Sequence, residues 1–271
     1  MVGFAANSLL CRGALGAASI DAASFTAVRV ASGALALAAL VPRAARRAGS
    51  WAGAAALAAY ALAFSFAYLR LAAGVGALLL FGAVQVTMMI AGLRAGERPG
   101  PWQWLGLAAA FGGLVVLVAP ALAAPDPVGA ALMAIAGVAW GAYSLIGRGA
   151  AHPLAATADN FARATPVALA VAAATIAWGR LGGGGGHVEV RGVALAATSG
   201  VAASGLGYTL WYAALRGLSR TQAAIAQLTV PVIAAAGAVA LLDEVVTPRL
   251  VIAAVAIAAG VVAALAAPSR R

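Results

Sequence analysis

The sequence predicts an all-α, polytopic membrane protein: ten transmembrane helices arranged as two inverted five-helix repeats. Three observations predict it. Of 271 residues, 64% are apolar and only 9% charged, where a soluble domain carries about 25% charged residues. The apolar residues come in blocks of about 20, the length of helix that crosses the roughly 30 Å hydrocarbon core of a bilayer. And the two halves of the chain match each other when one is shifted onto the other.

The blocks run approximately over 3–18, 22–41, 50–69, 71–93, 101–119, 127–147, 157–178, 192–214, 219–242 and 248–267. The first is short, with about 15 residues before the turn at Gly16–Ser19. Closed barrels are the other way to satisfy every backbone group in lipid, but runs such as Val167–Ala177 and Val251–Ala267 do not alternate as barrel strands must. Their Ala and Gly content suits close helix–helix contact instead. Residues 182–186 are five glycines; without a following Lys–Ser/Thr or a preceding strand they read as a flexible linker, not a phosphate loop.

All 17 basic residues are arginine, and the net charge is +10. They fall between apolar blocks, without interleaved aromatics, so nucleic acid is not an expected partner. The loops after blocks 2, 4, 6 and 8, with the tail, hold ten of them: Arg43, Arg46, Arg47, Arg94, Arg98, Arg148, Arg216, Arg220, Arg270 and Arg271. The opposite side holds four: Arg70, Arg180, Arg191 and Arg249. The positive-inside rule puts both termini in the cytoplasm. One cysteine, Cys11, leaves no intrachain disulfide. The first residues lack the basic segment of a cleavable signal.

A shift of 147 residues lays Leu71 on Leu218, Glu97 on Glu244, Pro101 on Pro248 and Gly113 on Gly260. Nearer the start of each half the shift is 136, laying Arg12 on Arg148 and Phe25 on Phe161. The difference fits a longer glycine loop in the second half. Residues 1–119 and 127–267 are the expected repeats. Five helices each, an odd number, reverse the second relative to the first, and inverted repeats recur in secondary transporters.

Four stretches carry a family resemblance. They are Asn7–Arg12, Ser24–Arg29, Gly137–Ser144 and Gln222–Pro231, the last followed by Asp243–Glu244. Together they resemble the drug/metabolite transporter superfamily, in its EamA branch. The resemblance implies a central cavity lined by helices 1–4 and 6–9, with helices 5 and 10 bracing the outside. It also implies export or exchange of amino acids or related metabolites across a bacterial inner membrane. The short first helix is a departure from the family pattern.

Candidate substrate contacts are few, because ionisable groups within spans are costly and face a cavity or a partner. Arg29 and Arg163 lie near the openings of helices 2 and 7, where a guanidinium can pair with a carboxylate or reach the headgroups. Asn7, Gln85 and Gln227 are amides within spans, able to meet substrate or a neighbouring helix. Gln227 precedes Pro231, whose missing N–H frees a backbone carbonyl. Trp140, Tyr143, Tyr208, Trp211 and Tyr212 form an aromatic group near helices 6 and 8 that can pack a substrate or belong to the interfacial belt. Trp51, Trp102, Trp104 and Trp178 read as the interfacial belt. Asp21 and Asp159 read as caps at the openings of helices 2 and 7.

The expected function is secondary transport by alternating access, with a multidrug exporter as the rival reading. An intramembrane enzyme is a weaker alternative, since His152 and His187 lie in loops and no HExxH or buried Asp pair occurs. A non-transporting scaffold would need no polar centre. The expected partners are a small-molecule substrate and the lipid bilayer. No cofactor or metal is expected, and the expected unit is a monomer.

Overall fold

The computed structural model describes the chain except residues 46, 72, 120–125, 182–186, 243–245 and 267–271. The glycine run, Asp243, Glu244, Arg46, Arg270 and Arg271 therefore lie outside the described residues. Ten helical rods follow in order: α1 Val2–Gly16, α2 Ala22–Leu40, α3 Trp51–Ala67, α4 Ala73–Arg94 and α5 Pro101–Val118, then α6 Pro127–Gly147, α7 Pro153–Leu181, α8 Val190–Leu215, α9 220–242 and α10 Pro248–Ala266. Among the described residues there is no strand; Ile20 and Val188 form an isolated antiparallel bridge.

Local chemistry sets the ends. Asp21 accepts from Ser24 N at 2.9 Å to cap α2, and Ser50 caps α3 through Gly53 N. Asp126 caps α6, and Ser219 with Gln222 forms a capping box at α9. Pro101, Pro127 and Pro248 open their helices, at positions where a backbone N–H has no helical partner. Asp21→Ala is expected to lower thermal stability by about 1 kcal/mol. Unfolding in detergent checks this, and an unchanged midpoint would show that the cap is dispensable.

Two rods are irregular. Within α8, residues Ser199–Leu206 form a π-helical segment. Within α9, Gln227–Thr229 tighten into a 3₁₀ turn directly before Pro231. Proline has no N–H for the carbonyl of Gln227, so the break expected there is present.

Six of the rods are long and apolar enough to cross a membrane: α2, α4, α6, α7, α8 and α10. The shorter α3 and α5 are also apolar. Exposed Leu35, Leu105, Leu210, Ile252 and Val262 face outwards, as lipid-facing side chains do.

The rods alternate in direction. The loop after α1 pairs with that before α8 through Asp21 N to His187 O and Glu189 N to Ser19 O. On the same end, Arg70 in the loop after α3 reaches Asp126 at 3.5 Å. At the opposite end, Gly49 N donates to Asp159 and Ser50 N to Asn160. There too Glu97 meets Arg148 and Arg220. The arginine-rich loops after α2, α4, α6 and α8 thus share one end.

The principal packing pairs are α5–α10, α3–α6, α2–α7, α2–α8, α4–α6, α1–α8, α3–α7, α9–α10, α1–α9, α7–α8 and α4–α9. In α5–α10 the backbones nearly touch, and a Cβ on Gly260 would sit 2.7 Å from Ala110 N.

Two expectations need correction. The second half is longer in its helices, not its loop. α7 has 29 residues against 19 in α2, and α8 has 26 against 17 in α3. And α7 opens at Pro153, so Asp159 is not its cap: it lies two turns in, paired with Arg163.

Candidate functional site

At the centre of the bundle the aliphatic packing gives way to polar and aromatic side chains. Arg29 of α2 is 1% exposed. Its Nε donates to Ser204 Oγ at 2.9 Å and its Nη2 to Tyr208 OH at 2.5 Å, both on α8. Its guanidinium carbon lies 5.5 Å from the Tyr60 ring centre and 5.8 Å from that of Phe64, both on α3.

Asn7 of α1 completes the network. Its amide nitrogen donates to Ser204 and to Tyr208 at 2.9 Å each, and its carbonyl oxygen accepts from Ser199 and Ser204. The π segment makes this possible. Five residues apart on a regular helix, Ser199 and Ser204 would point roughly 140° away from each other; the wider π turn brings both hydroxyls to Asn7.

Rings surround this cluster. Trp140 packs on Phe4, Tyr60, Tyr143 and Tyr208, with centroids 4.6–5.6 Å apart. Its Nε1 donates to Gln227 Oε1 at 2.6 Å, and Gln227 in turn donates to Ala223 O. Trp211 packs edge-on against Phe4 and donates to Ser144 Oγ at 3.0 Å. Tyr143 is fully buried, with Tyr212 donating to its backbone carbonyl. Between Phe4, Ser8, Tyr60, Phe64 and Trp140 a cavity of about 20 Å³ remains, room for about one water.

The structure therefore brings Asn7, Arg29, Trp140, Tyr143, Tyr208, Trp211 and Gln227 into one neighbourhood. Two other candidates sit apart. Gln85 donates to the carbonyl of Ala224 at 2.6 Å and ties α4 to α9. Arg163 holds Asp159 through two hydrogen bonds of 2.8 and 2.9 Å, its guanidinium 4.9 Å from the Trp51 ring centre, and is not paired with Arg29 across a shared site.

Phe4, Tyr60, Phe64, Ser199 and Ser204 were not among the sequence candidates. A signal for two of them existed. The shift of 136 residues carries Phe4 onto Trp140, and that of 147 carries Phe64 onto Trp211.

At the arginine-rich end a vestibule of about 460 Å³ opens between Glu97, Arg98, Gln103, Arg148, Arg216 and Thr221. Glu97 accepts from the backbone N–H of Arg220 and Thr221 and from the Thr221 hydroxyl. Burial pushes its carboxyl pKa up, but these donors outweigh that and hold it below the usual carboxylate range. Burial, with Arg220 beside it, draws Arg148 below its ordinary value, against the pull of Glu97. A side groove of about 420 Å³ lies along α1 and α8, past Met1, Phe4 and Trp211.

An all-helical bundle with lipid-facing apolar surfaces and a buried polar centre defines the class: a multi-pass membrane protein of the drug/metabolite transporter superfamily. Within it, the chain belongs to the EamA-like transporter family, whose match spans residues 127–266. It is 51% identical over 270 residues to an uncharacterized protein of Pseudomonas aeruginosa, covering 98% of this chain and 92% of that one. A solved crystal structure shares the fold, with a TM-score of 0.75 over 97% of this chain and 95% of that one, at 20% identity.

Proposed function

We propose that this protein is a secondary transporter, in the exporting direction, for small organic metabolites such as amino acids or related compounds. The observation that carries this reading is the buried cluster around Arg29, a charged and hydroxyl-rich centre inside an apolar bundle. Polar groups in lipid are costly, and such a centre suits a solute that must leave water.

Helix packing supports alternating access. Exchange each helix of the first five with its counterpart in the second five. The pairs α2–α7, α4–α9 and α5–α10 map onto themselves. The pair α3–α6 maps onto α1–α8, α4–α6 onto α1–α9, and α3–α7 onto α2–α8. A two-fold axis in the membrane plane relates halves in this way, and rocking about it opens the centre to each side in turn. All ten rods cross the bilayer in this reading. The arginine-rich end and both termini face the cytoplasm of a bacterial cell, across its inner membrane. Helices α5 and α10, which contribute no side chain to the cluster described above, act as the outer brace.

Counterflow of labelled metabolites in proteoliposomes tests the proposal. Flux above empty vesicles is expected, falling at least tenfold in Trp140→Ala and in Gln227→Ala. Undiminished flux in both variants would move the site away from the centre, and no flux for any metabolite class would remove the transport reading.

A further inference from the structure

The charge balance of the central cluster has a consequence for what it binds. Arg29 is buried, and a guanidinium stays protonated at any pH a protein meets. Yet among the described residues no carboxylate lies within ion-pair distance of it. Each of the five described acids is engaged elsewhere: Asp21 at the start of α2, Glu97 at the vestibule, Asp126 at α6 and Arg70, Asp159 with Arg163, and Glu189 with His187. The groups that meet Arg29 are neutral: a serine, a tyrosine hydroxyl and two ring faces. Among the described residues its Nη1 has no hydrogen-bond partner.

A buried cation is held cheaply only when paired and hydrogen-bonded. Cation–π contact offsets part of the desolvation, and two neutral hydrogen bonds offset more, but among the described residues the charge has no counter-charge. The cluster around it is rich in donors. The Asn7 amide nitrogen, the hydroxyls of Ser199, Ser204 and Tyr208, and the open Nη1 surround one region. The walls beside it are flat and apolar: Phe4, Tyr60, Phe64 and Trp140 line the small cavity, and Tyr60 and Phe64 are the same rings that Arg29 lies over.

We infer that the substrate is a small organic monoanion with a flat, apolar body and no ammonium group, its acceptor oxygens on Arg29 and its body against Tyr60, Phe64 and Trp140. The inference rests on the reading of this cluster as the transport site, and narrows it from amino acids or related compounds to the related acids. An α-amino acid would bring its ammonium within a few ångströms of its own carboxylate, and so beside the guanidinium. Among the described residues no acid waits there to receive it. An aryl carboxylate supplies the missing counter-charge and brings no second cation.

Titration calorimetry on the full chain in lipid nanodiscs tests this with four probes of one shape: phenylacetate, phenylacetamide, phenylalanine and phenethylamine. Phenylacetate is expected to bind at least tenfold tighter than each of the other three. Arg29→Gln is expected to erase the preference for phenylacetate over phenylacetamide, with phenylacetate binding falling at least tenfold. Arg29→Lys, which keeps the charge but not the planar fork, is expected to keep a reduced preference, so a misfolded Arg29→Gln does not end the test. Equal or tighter binding of phenylalanine or phenethylamine overturns the inference, as does a preference that survives in Arg29→Gln, or no binding of phenylacetate. Counterflow separates the two claims: flux that is blind to the anion sinks the inference and leaves the transporter, whereas anion-selective binding without any flux leaves the inference and sinks the transporter.

Discussion

Gly200→Val is expected to be the most damaging single substitution for the fold, lowering stability by about 3 kcal/mol and the yield of folded protein with it. A Cβ at Gly200 would fall inside the backbone carbonyl oxygen of Arg29 and against the Ser32 hydroxyl. A carbonyl of a neighbouring helix cannot rotate away as a side chain can, so α2 and α8 must separate. Gly33 stands on the other side of the same contact, its own added Cβ 2.8 Å from Gly200 O. Separation would also pull Ser204 and Tyr208 off Arg29, so binding falls together with stability. Gly112→Ala is the control. Nothing lies within 4 Å of a Cβ there, and alanine in a helix is favoured over glycine by up to about 1 kcal/mol. Thermal unfolding in detergent should show the first variant well below the parent and the second at or above it. Equal midpoints for all three would mean that the α2–α8 contact is loose.

Glu97→Gln is expected to destabilise the arginine-rich end by roughly 1–2 kcal/mol, less than a fully buried ionic hydrogen bond because the carboxylate is partly solvated. One carboxylate there joins the loop after α4 to the first turn of α9 and to the loop after α6. Glutamine keeps one acceptor oxygen and removes the one counter-charge that Arg148 and Arg220 share among the described residues. The pH dependence distinguishes this from simple packing loss. The folded-state pKa of Glu97 is depressed, so its contribution is present above the unfolded carboxylate pKa and is lost as pH falls through the lower folded value. The parent should therefore lose stability on acidification below the ordinary carboxylate range by a margin that Glu97→Gln does not show. Identical acid profiles for the two proteins would assign the stability of that end to other groups.

Much of the bundle was legible because lipid imposes one length and one composition on a crossing helix. Blocks 22–41, 101–119 and 248–267 end within a residue or so of α2, α5 and α10. The miss at α7 came from reading His152–Pro153 as loop, whereas proline at a first helical position is favoured. That four-residue error turned Asp159 from a partner of Arg163 into an apparent cap. The candidate cluster was legible where a side chain is conspicuous in an apolar run, as Arg29, Asn7, Trp140 and Gln227 are. Ser199 and Ser204 were not, since hydroxyls five apart share a face only on a π turn, and nothing in GVAAS announces one. Phe4 and Phe64 look like any lipid-facing ring until the matching tryptophans of the other half are set beside them.

The tie between the loop after α1 and the loop before α8 is made by main-chain atoms alone, Asp21 N to His187 O and Glu189 N to Ser19 O. Its persistence is thus indifferent to which side chains mutation leaves at those four places, with one exception. Proline at 21 or 189 deletes a donor outright, so it is the one replacement at those places that breaks the tie itself, whatever a change at Asp21 costs the cap of α2.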